Sequence, residues 1–122
     1  MKFGGFKDLI VWQKAFVLTL EVYEVTKAFP KEEQYGLVSQ IRRAAVSVTA
    51  NIAEGYERSH RKEYLHFLGM ARGSLGEVET YLLLAKELQY IEEGQFIGLE
   101  DKRSEVGRLL RGLIRSLSKH NA

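Results

Sequence analysis

At 122 residues, with 45% hydrophobic and 28% charged side chains, the chain has the length and balance of one water-soluble domain with its own core. The absence of cysteine excludes disulfides and thiolate metal centres, and no apolar run approaches the roughly 20 residues that span a bilayer. A net charge of +2 does not by itself point to nucleic acid, and MKFGGFKDL lacks the apolar core of a secretion signal, so a cytoplasmic protein without membrane contact is expected.

The first helix is expected at about 7–28. Leu9, Trp12, Phe16, Leu20 and Tyr23 make one stripe, and Val11, Ala15, Leu18, Val22 and Val25 make a second beside it. Two stripes suit a well-buried helix, or one whose second stripe meets another subunit. Phe29-Pro30 stops it, because proline disfavours α geometry in the residue before it. Helix two, about 33–56, carries Leu37, Ile41, Ala45, Val48 and Ile52 at steps of three and four. Small residues widen that stripe, and Gln40, Arg43, Ser47, Asn51 and Glu54 run along another side. A helix patterned in this way has neighbours on more than one side and is the expected centre of a bundle. Gly55 is expected as its stop signal.

Ser59 is the expected N-cap of helix three, about 60–90. There Tyr64, Leu68, Ala71, Leu75, Val78, Leu82 and Ala85 alternate steps of four and three, the seam of a near-antiparallel neighbour. Gly69, Gly73 and Gly76, each costing about 1 kcal/mol in a helix, are expected to allow a close crossing against helix two. Gly73→Leu should then disrupt packing. Trp12→Ala should cost roughly 3–5 kcal/mol if the indole is fully buried. Glu93-Gly94 is read as the next turn, helix four as about 96–118, and Ser118–Ala122 as a fraying tail. Four helices with short connections and no strand pattern predict an all-α, up-down-up-down four-helix bundle in one domain.

The chemistry is sparse. His60, His66 and His120 lack the i, i+4 spacing of helical metal ligands, no Glu-x-x-His motif stands in helices two and three, and the mid-helix glycines follow no strand as a phosphate loop would. No catalytic residue, metal or cofactor is expected. Arg42, Arg43, Asn51 and Glu54, with Glu77 on helix three, form a candidate structural network, because an arginine inside a bundle needs a carboxylate. Residues 101–122 hold six basic groups against two acidic ones, a net of +4 that leaves −2 for the first hundred. Arg108, Arg111, Arg115 and Lys119 share one face of helix four, and Arg58, Arg61 and Lys62 cluster at the helix two–three junction. Both are candidate nucleic-acid contacts of the sequence-independent, salt-sensitive kind, set against a plain solvated face. Aromatics do not interleave with them, which argues against base stacking.

Phe6–Ala15 (FKDLIVWQKA), Phe29–Leu37 (FPKEEQYGL), Ser39–Val48 (SQIRRAAVSV), Ala50–Gly55 (ANIAEG) and Gly73–Thr80 (GSLGEVET) resemble the bacterial four-helix bundle proteins encoded by intervening sequences in 23S ribosomal RNA genes. The resemblance covers nearly the whole chain, and the stretch 39–55 is its most specific part. Family members often carry proline where this chain has Thr49, so a helix-two kink is not implied here. The resemblance implies an antiparallel bundle assembled as a homopentameric ring. It also brings in a distant relative, the accessory protein of diversity-generating retroelements, whose basic pentamer binds nucleic acid and a reverse transcriptase. The expectation is a non-enzymatic homo-oligomer that binds RNA or a ribonucleoprotein through basic helix surfaces. The alternative is a scaffold for a protein such as a reverse transcriptase, without direct nucleic-acid contact.

Overall fold

In the computed structural model, which describes residues 4–119, α1 spans Ile10–Thr26, α2 Leu37–Tyr56, α3 Arg61–Glu87 and α4 Glu93–Lys119. Short 3-10 turns at Gly5–Asp8 and Lys31–Glu33 precede α1 and α2, and the described residues contain no strand. The cross-contacts give the directions. As the position on α2 falls from Gly55 through Ser47 to Gln40, its partner on α3 climbs from Tyr64 through Ser74 to Tyr81. Arg103 pairs with Glu79 and Gly107 meets Leu75, so α4 runs against α3. Lys14 reaches Glu105 and Glu21 reaches Lys102, so α4 also runs against α1. Each helix packs on two neighbours. This is the up-down-up-down arrangement.

Between the helices lie Leu18, Val22, Ile41, Val48, Ile52, Leu68, Val78, Leu82, Val106 and Leu110, all essentially sealed from water. The α3 seam is inward throughout, with Tyr64 half-buried at one end. On α1 the two stripes divide in the opposite sense to the one expected for an interface. Val11, Ala15, Leu18 and Val22 form the core side, while Phe16, Leu20 and Tyr23 stand exposed. Compact side chains allow α1 to approach its neighbours closely. Thr19 Oγ1 lies 2.9 Å from Thr49 Oγ1 and donates to Ala45 O at 3.1 Å. Thr49 thus joins α1 to an uninterrupted α2. Trp12 is half-buried, edge-on to Phe6 and stacked on Phe16 at 5.0 Å, so the full burial assumed for Trp12→Ala is not met.

The glycine expectation fails on geometry. Gly69, Gly73 and Gly76 face outward, and a Cβ on any of them would meet nothing within 4 Å. The close approach is at Gly55, which is a buried helical residue and not a stop signal. A Cβ there would lie 2.9 Å from Phe67 Cβ and 3.0 Å from Tyr64 Cδ1. Ser59 does not cap α3, since the N-cap position is His60 and no side chain bonds there.

The turn expected at Glu93-Gly94 lies instead at residues 88–92, and Glu93 already begins α4. Gln89 adopts φ 63° after α3, while Tyr90 N–H donates to Ala85 O at 2.8 Å and Gln89 N–H to Lys86 O at 3.0 Å. That is a left-handed helix stop built without glycine. Gln89→Gly should therefore raise stability by about 1 kcal/mol, because a side chain in this conformation costs 1–2 kcal/mol. A lowered urea midpoint for this variant would contradict the assignment. Gln95 Oε1 then accepts the Glu92 N–H at 2.9 Å, capping the start of α4. Of the tail expected to fray, Ser118 and Lys119 continue α4, and His120–Ala122 lie outside the described residues.

Two tyrosines give the bundle an alkaline limit. Burial, helped by nearby Tyr56, pushes the Tyr64 phenol up to about 12. Tyr90 is raised chiefly by its 2.8 Å hydrogen bond to Glu33. A phenol raised in the folded state contributes stability that is whole below its unfolded value near 10 and is lost as pH climbs beyond it. Urea unfolding should show stability declining from about pH 10 towards 12, with a shallower decline in Tyr64→Phe. An identical profile for that variant would remove Tyr64 from the explanation.

Candidate functional site

Because neighbouring helices alternate in direction, one end of the bundle collects the starts of α1 and α3 and the finishes of α2 and α4. Arg58, Arg61 and Lys62 sit there, at the α2–α3 connection and the first turn of α3. Arg111, Arg115 and Lys119 reach the same end on the last turns of α4, with Arg108 nearer the middle. Two clusters about fifty positions apart in sequence thereby become one region. All seven side chains are exposed.

The sorting extends to the whole molecule. The half of the bundle made by residues 4–17, 48–73 and 107–119 holds ten lysines and arginines against four carboxylates, a net of +6. The other half, residues 18–47 and 74–106, holds seven against twelve, a net of −5. The near-neutral total thus conceals a strongly polarised rod. Fields of this kind attract a polyanion to one end and hold it off the other.

The basic groups differ in how firmly they are held. Arg58 pairs with Glu54 one turn earlier and lies 4.7 Å above the Phe67 ring. Arg108 donates to Ser104 Oγ at 3.0 Å. Arg61, Lys62, Arg111, Arg115 and Lys119 make no ion pair among the described residues, which leaves their charge available to a ligand. Those on the last turns of α4 also meet the negative end of its helix dipole.

The five residues expected as a polar network do not form one. Arg42 turns to α1, donating to Thr26 Oγ1 at 2.9 Å and Tyr23 O at 3.2 Å, with its guanidinium 4.6 Å from the Tyr23 ring centre. Asn51 bonds back to Ser47, whose hydroxyl accepts from Ser74. Glu54 belongs to Arg58, while Arg43 and Glu77 point to solvent. The arginine that does need carboxylates is Arg103. Its Nε and Nη2 donate to the two oxygens of Glu100 at 2.8 and 2.6 Å, and Glu79 of α3 lies 3.5 Å away. The Glu100 hydrogen bonds raise its pKa further. The available signal was Glu100-x-x-Arg103, a three-residue step set between core residues Leu99 and Val106.

A second surface feature is apolar. Ile10, Phe16, Val17, Leu20 and Tyr23 of α1 are each about two-fifths or more exposed. Val46 and Ala50 continue the patch on the neighbouring side of α2. Large apolar side chains grouped on one exposed helix side are a common mark of an association surface. His60 and His66 are both exposed, and His120 lies outside the described residues. Among the described residues no three His, Asp or Glu side chains converge as a metal site would require, and no helix is long and apolar enough to cross a membrane.

Residues 7–112 match the family described as 23S rRNA-intervening sequence protein. No curated protein matches the chain. Among solved structures, the chain is similar to a protein with unknown function from the S23 ribosomal protein family of Bacteroides thetaiotaomicron. The two are 25% identical with a TM-score of 0.82, over 89% of this chain and 98% of that one.

Proposed function

From the fact that the chain belongs to the 23S rRNA-intervening sequence protein family, we propose that it is a non-enzymatic, cytoplasmic, homo-oligomeric bundle that binds RNA through its basic end. The observation that carries this reading is the separation of charge, +6 against −5, by an antiparallel fold. Arg61, Lys62, Arg111, Arg115 and Lys119 supply the phosphate contacts, with Arg58 and Arg108 beside them. Such contacts read backbone charge and shape, so binding is sequence-tolerant and salt-sensitive. Copies associate through the aromatic side of α1 and the adjoining Val46 and Ala50, where burial removes apolar area from water. Five copies in a ring, as the family resemblance implies, would multiply a few phosphate contacts per chain into a strong composite site.

The test mixes the protein with a structured RNA and follows binding from 50 to 200 mM salt. With about four phosphates engaged per chain, affinity should fall roughly a hundredfold over that range. Undetectable binding at 50 mM salt would refute the reading. The exposed apolar face also favours a second reading, a scaffold for a protein partner such as a reverse transcriptase. A protein that stays bound after nuclease treatment and is released by Phe16→Ser/Leu20→Ser would favour it.

A further inference from the structure

At the opposite, acidic end, α1 and α4 part to leave an open groove of about 390 Å³. Val25 and Leu99 are among its apolar residues, Glu21 and Glu24 supply carboxylates from α1, and Gly94 and Gly98 lie on the α4 side. The two glycines give the groove its room, since a Cβ on either would meet no atom within 4 Å. Helix packing inside the chain does not require them, and each weakens the helix relative to alanine. Among the described residues the carboxylates make surface ion pairs, Glu21 with Lys102 at 3.4 Å and Glu24 with Lys27 at 3.1 Å, of the exposed kind that an incoming cation readily replaces.

The chemistry of such a groove is specific. An apolar floor beneath carboxylates fits a long cationic side chain, whose methylene stem lies on the floor while its head meets the acid. The same chain carries the complement, since Arg111 and Arg115 are exposed on α4 at the basic end and make no ion pair among the described residues. We infer that this groove receives the arginine face of α4 from a second copy of the chain lying antiparallel to the first. In that arrangement the contact is made twice about a two-fold axis, and the acidic half of each copy faces the basic half of the other. The contact is distinct from the apolar α1–α2 association proposed above, weakens with salt where that one does not, and excludes RNA from Arg111 and Arg115 while it is made, so RNA and the second copy compete for them.

Sedimentation velocity on nucleic-acid-free protein tests this independently of RNA binding. Between about 20 and 300 mM salt the pairwise association should weaken at least tenfold. Glu21→Lys/Glu24→Lys and Arg111→Glu/Arg115→Glu should each lose the pairing when alone, and their equimolar mixture should restore it, because every contact in the mixed pair is again between opposite charges. Gly98→Leu, which fills the groove while strengthening the helix and leaving every charge in place, should also abolish it. Association insensitive to salt, a mixture no better than its components, or unchanged pairing in Gly98→Leu would each overturn the inference.

Discussion

Gly55→Leu should destabilise the bundle by about 3 kcal/mol and lower its melting temperature by on the order of 10 °C. The new Cβ would sit 2.9 Å from Phe67 Cβ and 3.3 Å from the Tyr64 carbonyl oxygen, atoms fixed to backbone that cannot rotate aside. The rest of the leucine would extend into the same contact, and the gain in helix propensity offsets only about 1 kcal/mol. Gly73 is the contrast. Its Cβ would enter open space, so Gly73→Ala should raise stability by up to about 1 kcal/mol in the free subunit, and Gly73→Leu should be tolerated as well. A melting temperature for Gly55→Leu within about two degrees of wild type would contradict a close α2–α3 crossing at Gly55.

This pair shows where sequence reading reaches its limit. That four helices form, and that Leu68, Leu75, Val78 and Leu82 face inward, follows from spacing, because a helix must bury whatever stripe it carries. Spacing does not say which glycine lies at a crossing. That depends on how two helices meet in space, and Gly55 sits where α2 approaches Tyr64 and Phe67. The α1 stripes were ambiguous for a related reason. A helix apolar on two sides carries no internal signal for which side is inner, and the decision fell to fit, with compact Ala15, Leu18 and Val22 inside and bulky Phe16 and Tyr23 outside. Gln89 hid the end of α3 because glycine was the expected mark of a left-handed stop.

At the site, both basic clusters were legible as clusters. Their convergence was not, since Arg61 and Arg115 become neighbours in region only once α3 and α4 are known to run in opposite directions. Polarisation of the whole rod was invisible for the same cause, because each helix contributes residues to both ends. Arg42 illustrates the reverse case. The rule that an enclosed arginine needs a carboxylate did not apply to it, because Thr26, the Tyr23 carbonyl and the Tyr23 ring share its charge at a partly exposed site.

The second large effect concerns binding. Arg61→Glu/Arg111→Glu/Arg115→Glu should weaken RNA affinity by a factor on the order of 10² to 10³ at low salt, because three attractions to phosphate become repulsions. The three side chains are exposed and make no ion pair among the described residues, so the helical circular dichroism and melting temperature should be retained. The variant should also bind with a shallower dependence on salt, since fewer counterions are released. Loss of folding in place of loss of affinity would mean that these arginines belong to the structure and not to a surface.

The most direct measurement sets that variant against Lys27→Glu/Lys31→Glu/Arg43→Glu, which makes the same change in net charge on exposed residues of the acidic half. Both are titrated with one structured RNA at 50 mM salt. If an antiparallel fold has gathered the binding charge at one end, the acidic-half variant should stay within about threefold of wild type while the basic-end variant loses nearly all affinity. Equal losses in the two would mean that total charge, and not its place in the bundle, governs the interaction.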